Sequence, residues 1–201
     1  MSASALFRCG NFLAVELEQR DIPELQRFYE ENPGYFALVM GASPTPDEAA
    51  RDFAQLPPAG WAFTRKWMIG FRAADGTLVA CADLLQDLFA PGIWHVGFLL
   101  VGERLHGTGV AAALYAHLEG WTRTQGATWL RLGVVRGNVR AERFWTKVGY
   151  VDVAERRDYE IGRLRHTLRV MAKPLGGETL DAYRARVPRD AATAATEASA
   201  P

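Results

Sequence analysis

Apolar and polar residues alternate over residues 12–17, which predicts an opening strand, and Asp21-Ile22-Pro23-Glu24 then carries the cap and early proline of a helix start. That helix should run to about residue 31, where Asn32-Pro33-Gly34 breaks it. Residues 35–40 read as a further short helical piece, and Ser43-Pro44-Thr45-Pro46-Asp47-Glu48 as a proline-punctuated loop into a helix over 49–55. Residues 67–72 and 77–85 read as strands joined at Asp75-Gly76, a hairpin signal, and 93–101 as a third strand after Ala90-Pro91-Gly92. The centre is therefore predicted to be an antiparallel meander. Beyond a glycine-rich turn, Val110, Ala113, Leu114, His117, Leu118 and Trp121 recur at helical spacing up to Gly126. A mostly apolar strand over 128–135 comes next, then a helix from about 139 with Ala141, Phe144, Trp145 and Val148 on one stripe, stopped by Gly149. Residues 150–154 and 166–173 read as closing strands around an arginine-rich loop. From 176 onward Ala, Thr, Glu and Ser dominate, which predicts at most one short helix around 179–186 and a mobile end.

Composition narrows the function classes. A chain of 201 residues, 49% apolar, is large enough for one soluble domain with a core and a cleft. Its formal charge is zero and no block of like charges occurs, which speaks against nucleic-acid or anionic-membrane partners. Cys9 and Cys81 lie far apart and outside any metal-ligand spacing, so no metal site is expected and a reducing, cytoplasmic location fits. No apolar run approaches the roughly 18 residues of a membrane span, and no export signal opens the chain.

The chemistry concentrates at Val101-Gly102-Glu103-Arg104-Leu105-His106-Gly107-Thr108-Gly109-Val110-Ala111, where an apolar run feeds a glycine turn that opens into a helix. Glycine lets backbone approach a ligand closely, and the helix start offers free N–H groups and a positive dipole end to an anion. Gly107-Thr108-Gly109-Val110-Ala111-Ala112 also satisfies the dinucleotide-binding pattern. That reading needs a preceding βαβ strand and an acidic residue about 20 positions on, and neither is present. A P-loop is excluded because no Lys-Ser or Lys-Thr comes after the glycines.

The order of elements resembles the GCN5-related N-acetyltransferase superfamily over residues 13–175. The family's central motif, Q/R-x-x-G-x-G/A, is met here by His106-Gly107-Thr108-Gly109-Val110-Ala111, with His106 in place of Arg or Gln; a register from Arg104 to Gly109 restores the arginine but moves the turn off the helix start. Asn138, Ala141, Phe144, Trp145, Lys147, Gly149 and Tyr150 resemble the family's N-x-x-A-x-x-F-Y-x-K-x-G-F segment. The resemblance implies an α+β fold in which helices flank a mixed central sheet of about seven strands, with a splayed parallel pair holding acyl-CoA. It makes 1–175 the catalytic domain and 176–201 a partly helical or disordered tail. It implies acetyl-CoA as donor, with the pyrophosphate on the backbone of Gly107, Thr108, Gly109, Val110 and Ala111 beside His106. The pantetheine arm would lie along the main chain of Leu99, Leu100 and Val101, and Asn138, Phe144 and Lys147 would contribute from the second motif. Gly97 could be a bulge that forces the strands apart, and Asn138 reads equally well as a helix N-cap.

Acetyl transfer to an amine needs the neutral amine, and a primary amine of pKa near 10.4 lies about 3.4 units, roughly 4.6 kcal/mol, on the wrong side of pH 7. His95 is the candidate base: simple alternation puts 95, 97, 99 and 101 on one face, and the resemblance places a glutamate base at this position in many relatives. A backbone N–H at Leu99 or Leu100 would meet the oxyanion. Trp145 stands where the family often has a tyrosine acid, and its indole cannot protonate the leaving thiolate. Tyr29, Tyr35, Phe36, Trp61, Trp67 and Trp94 would line the acceptor slot, while Glu30, Glu31, Asp83 and Asp87 read as solvated surface that could attract a cation. The expected activity is acetylation of a small-molecule primary amine by direct attack in a ternary complex. The alternatives are a protein or peptide N-acetyltransferase and a non-catalytic acyl-CoA sensor. Exposed strand edges also point to a homodimer.

Overall fold

A computed structural model describes residues 5–191. Its sheet has eight strands, one more than expected: β1 (Ala5–Cys9), β2 (Phe12–Glu16), β3 (Arg65–Arg72), β4 (Leu78–Gln86), β5 (Ile93–Val101), β6 (Trp129–Val135), β7 (Val151–Ile161) and β8 (Leu164–Pro174). Their order is β1-β2-β3-β4-β5-β6-β8-β7, antiparallel throughout except for the parallel pair β5–β6. The extra strand is β1, joined to β2 by a two-residue turn in which Cys9 faces Phe12 and Gly10 has φ +59°. Gly10-Asn11 is a hairpin signal in its own right. Strands β7 and β8 are 11 residues each, so Arg156, Arg157 and Arg165 lie in a long hairpin ladder and not in a loop. They are paired there with Asp190, Glu155 and Glu160 respectively.

The helices are α1 (Ile22–Glu30), α2 (Pro33–Met40), α3 (Glu48–Ala54), α4 (Val110–Thr124), α5 (Val139–Lys147) and α6 (Leu180–Arg186). Helices α1, α2 and α3 cover one face of the sheet, where Leu25, Phe28, Tyr29, Phe36 and Ala49 pack on Val15, Met68, Cys81 and Leu100. Helices α4 and α5 cover the other, where Leu114, Tyr115, Leu118, Trp121 and Trp145 pack on alternate residues of β3, β4, β5 and β6. The buried stripe of α4 includes Tyr115 and Thr122 and leaves Ala113 and His117 exposed, a rotation away from the predicted stripe. Tyr115 turns inward because its ring meets Trp145 and Tyr150 edge-on or tilted, and its hydroxyl bonds that of Tyr150 at 3.1 Å.

Trp67 and Trp94 belong to this α4 face, Trp121 packing edge-on against both. They are core residues on the side away from α1 to α3, so they do not line an acceptor slot there. The segment after 175 is not a detached tail as far as it is described. Thr179 caps α6, and Tyr183 and Val187, both fully buried, pack on Ile93, Trp129 and Ala172. The mobile end expected beyond it lies outside the described residues.

Candidate active site

The site begins where two strands part. Strands β5 and β6 are in register only from Ile93↔Trp129 to Val96↔Leu132, and no pairing between them continues beyond. At that point β5 carries an extra residue: Leu84 faces Val96 while Asp83 faces Phe98, so Gly97 has no partner on β4. A bulge of this kind bends its strand and re-aims the residues beyond it. It also shifts the alternation. Trp94, Val96, Leu99 and Val101 all face the α4 side, whereas Phe98 and Leu100 face α1 to α3. His95, opposite Leu85 and next to Arg131, shares the latter face. The expectation that 95, 97, 99 and 101 form one face is therefore corrected: the extra residue puts His95 and Leu99 on opposite sides.

Backbone direction is set by one hydrogen bond. The His106 ring bonds the Val101 carbonyl at 2.8 Å, so Val101 turns its main-chain groups away from β4 and toward the opening. Residues two apart on a strand point their backbone groups the same way, so Leu99 offers its N–H and C=O to the opening as well. Leu100 does not: it pairs with Cys81 and buries its side chain under the helices. Nδ1 of His106 lies 2.7 Å from the Arg140 guanidinium. Arginine can only donate, so Nε2 of His106 carries the hydrogen given to Val101. Arg140, which the sequence patterns did not single out, thus brings a fixed positive charge from α5 to the side of the glycine turn.

In that turn Gly107 and Gly109 have φ +79° and +85°, a region costly for any residue with a side chain. A Cβ at either would meet nothing within 4 Å, so the chain has open space above it. The amides of Gly107, Gly109 and Ala111 donate to no acceptor among the described residues. Those of Thr108 and Val110 reach only Leu105 O and Thr108 Oγ1, both at 3.4 Å. Free N–H groups at the start of a 15-residue helix form an anion site. These features fit a pyrophosphate.

On the other face, a polar cluster is enclosed by α1, α2 and α3. Tyr29 OH donates to Asp52 at 2.8 Å, and Lys66 pairs with Asp83 at 3.2 Å while also donating to the carbonyls of Asp52 and Gln55. Asp83 is mostly buried, with one carboxylate oxygen out of contact with solvent, and not the solvated surface residue expected. Burial raises its carboxyl to about 6, against the pull of Lys66. The rings of Tyr35 and Phe98 pack against each other beside this cluster, their centroids 6.3 Å apart. His95 Nδ1 is 3.3 Å from the Arg131 guanidinium, so Nε2 bears the ring hydrogen and Nδ1 is engaged. Burial first, and the Arg131 charge second, push its pKa down to about 3. An imidazole so placed is neutral at physiological pH and has no lone pair free to take a proton. Arg131 is held by Asp190, at 2.7 and 3.0 Å, and Asp190 also binds Arg156 and Tyr183 OH.

The second motif is dispersed. The Asn138 carboxamide accepts from Ala141 N at 3.2 Å, which makes it the N-cap of α5. Phe144 is half-buried against Tyr115 and Trp145, and Lys147 is exposed, two turns along α5 from Arg140. Trp145 is core, 8% exposed. His166 binds the Val39 carbonyl and ties β8 to α2. Trp61 packs with Phe89, and Arg189 lies over both rings at 4.0 and 4.9 Å.

Residues 21–150 match the family model described as acetyltransferase (GNAT) family. No curated protein sequence is similar enough to count as a relative. Among solved structures, an acetyltransferase from Thermus thermophilus superposes with a TM-score of 0.65 at 20% identity, over 86% of this chain and 100% of that one. A spermidine N-acetyltransferase from Vibrio cholerae, in complex with CoA and spermine, gives 0.64 at 13% identity over 82% and 96%. The ribosomal-protein-S18-alanine N-acetyltransferase of Escherichia coli gives 0.59 at 17% identity over 84% and 96%. Likenesses at these identities concern the fold. No helix among the described residues is long and apolar enough to cross a membrane.

Proposed function

This chain belongs to the acetyltransferase (GNAT) family, and on that premise we propose that it acetylates the primary amine of a small molecule, with acetyl-CoA as donor, by direct attack in a ternary complex. One observation carries the reading: strands that part at Gly97 lead to a turn whose amides at Gly107, Gly109 and Ala111 have no internal acceptor. In this reading those amides, with Thr108 and Val110, hold the pyrophosphate of the donor, and the Arg140–His106 pair adds positive charge beside it. Bound there, acetyl-CoA supplies the thioester whose acetyl group is transferred.

Leu99 and Val101 offer main-chain groups to the pantetheine arm, although the Val101 carbonyl already serves His106. The Leu99 N–H is the donor best turned toward a developing oxyanion. Asn138 keeps only its amide NH2 for the donor, its oxygen being used as a cap. Phe144 and Lys147 would act at the outer end of the cofactor. The acceptor enters from the opposite face, between α1 to α3 and the 180–190 segment, where the half-buried Tyr35 and Phe98 present rings, backed by the buried Tyr29 and Phe36.

A thiol-release screen with acetyl-CoA against amines, polyamines, aminoglycosides, amino acids and peptides tests the proposal. Turnover with small amines supports it, and turnover with peptides alone shifts it to an N-terminal acetyltransferase. Binding of CoA without turnover on any acceptor leaves the sensor reading standing in its place. The binding arm is read by the rise in melting temperature that CoA produces.

A further inference from the structure

Resting on the acetyl-transfer reading above, we infer that Asp83, and not His95, is the catalytic base of this chain, its free carboxylate oxygen taking the proton from a primary amine seated against the Tyr35 and Phe98 rings below the Gly97 bulge. The position is set by the sheet. Asp83 and Phe98 are cross-strand partners at the rung where β5 gains its extra residue. An added Cβ at Gly97 would stand 3.3 Å from the Asp83 carboxyl carbon, so the carboxylate lies directly against the place where β5 leaves β6. With 17% of its side chain exposed, Asp83 lies close to the surface without being bathed in water.

Its two oxygens differ. Oδ2 faces Lys66 Nζ at 3.2 Å, which fixes the carboxylate plane. Oδ1 is buried and has no hydrogen-bond partner among the described residues. A buried, ionised oxygen without a donor is costly, and an amine N–H is the kind of group that would satisfy it. The groups that act on it are Lys66 on β3, Asp52 on α3, Tyr35 on α2 and Cys81 on β4 itself, and Tyr29 on α1 reaches it through Asp52. Two carboxylates set against one ammonium give this cluster a surplus of acceptors suited to a cation. With the Tyr35 and Phe98 rings packed together beside it, the acceptor class is a primary ammonium on a small apolar or aromatic body.

A carboxyl titrating near 6 is roughly nine-tenths ionised at pH 7, yet is a stronger base than a free aspartate. The carboxylate first draws in the ammonium and relays one of its protons to solvent, which leaves the nitrogen neutral. As the neutral nitrogen bonds to the acetyl carbon, its second proton passes to Asp83 Oδ1. The carbon–sulfur bond breaks, the sulfur takes a proton from water, and Asp83 returns its own to solvent. His95 cannot take this part because Arg131 occupies Nδ1 and the hydrogen sits on Nε2.

The test pairs kinetics with binding. In kcat/KM against pH, the wild type should show an acid limb near 6 that Asp83→Asn abolishes, with about a hundredfold loss or more, and that His95→Gln retains. Lys66→Met removes the charge that holds the Asp83 carboxyl down, so the limb should move to higher pH, a shift no purely structural role for Asp83 produces. Independently of turnover, protein labelled with 13C at the aspartate carboxyls and saturated with CoA is titrated with the same amine panel, beginning with benzylamine and spermidine. The resonance missing in Asp83→Asn should shift. The inference is overturned if Asp83→Asn keeps its acid limb and lies within about threefold of wild type, or if no amine moves that resonance. A wild type that acetylates nothing while an amine still moves the Asp83 signal would count against acetyl transfer and not against this site.

Discussion

Replacing Asp190 by Ala should destabilise the protein more than any single surface change. The carboxylate is fully buried and accepts from Arg131 at 2.7 and 3.0 Å, from Arg156 at 3.1 Å and from Tyr183 at 2.7 Å. Removing it leaves Arg131, itself only 7% exposed, charged and without its carboxylate partner. Breaking a buried pair from one side costs about 3–5 kcal/mol. For a chain of this length that corresponds to a fall in Tm of about 10 °C. Asp190→Asn, which keeps an acceptor oxygen but no charge, should lose about half as much. Burial opposes ionisation of Asp190, but the bonds from Arg131 outweigh it and hold the carboxyl below its ordinary value. A group depressed in the folded state stabilises above its unfolded pKa of about 3.9 and stops doing so as pH falls through the folded value. The gap between wild type and Asp190→Ala should therefore be constant from about pH 5 to 8 and narrow only in stronger acid. Urea unfolding at several pH values measures it. A gap under about 1 kcal/mol at pH 7 would refute the idea that this carboxylate holds the C-terminal segment to the sheet.

Three further outcomes are expected. Gly109→Ala meets no steric obstacle, so its cost should be the conformational ~1–2 kcal/mol of a left-handed residue, together with about a tenfold loss of CoA affinity by calorimetry; unchanged affinity would remove the turn from the donor site. Because His95 titrates near 3 when folded and near 6.5 when unfolded, wild type should lose stability as pH falls from about 6.5 toward 3, and His95→Gln should resist acid better in a pH-dependent melt. Arg140→Ala should weaken CoA binding several-fold and flatten its dependence on salt, which titrations at two ionic strengths would show.

Much of the fold was legible because the signals were local. Asp75-Gly76, the glycines at 107 and 109 and the stripe at 141, 144, 145 and 148 each named their own element, and β5 begins and ends where its apolar run does. The features that escaped depend on a partner. Periodicity assumes an unbroken strand, and a single unpaired residue at 97 reverses which residues share a side, so simple alternation groups His95 with Leu99 where the sheet separates them. Asp83 looked like surface because charge predicts exposure, whereas Lys66, 17 positions earlier, comes to rest beside it. Trp67 and Trp94 carried the right residue type for a ligand slot but sit on the other face, a distinction that only strand pairing makes. Arg140 had no motif around it, and its importance comes from His106, 34 residues away.

The sheet acts as a partition. The part proposed to hold the donor, the turn at 107–111 with α5, is built on one face, and the part that would choose the acceptor, α1 to α3 with the docked 180–190 segment, is built on the other. Substitutions among the acceptor-side helices can thus retune which amine is taken without touching donor capture. Descendants of this chain could diversify in substrate while inheriting the same grip on the carrier.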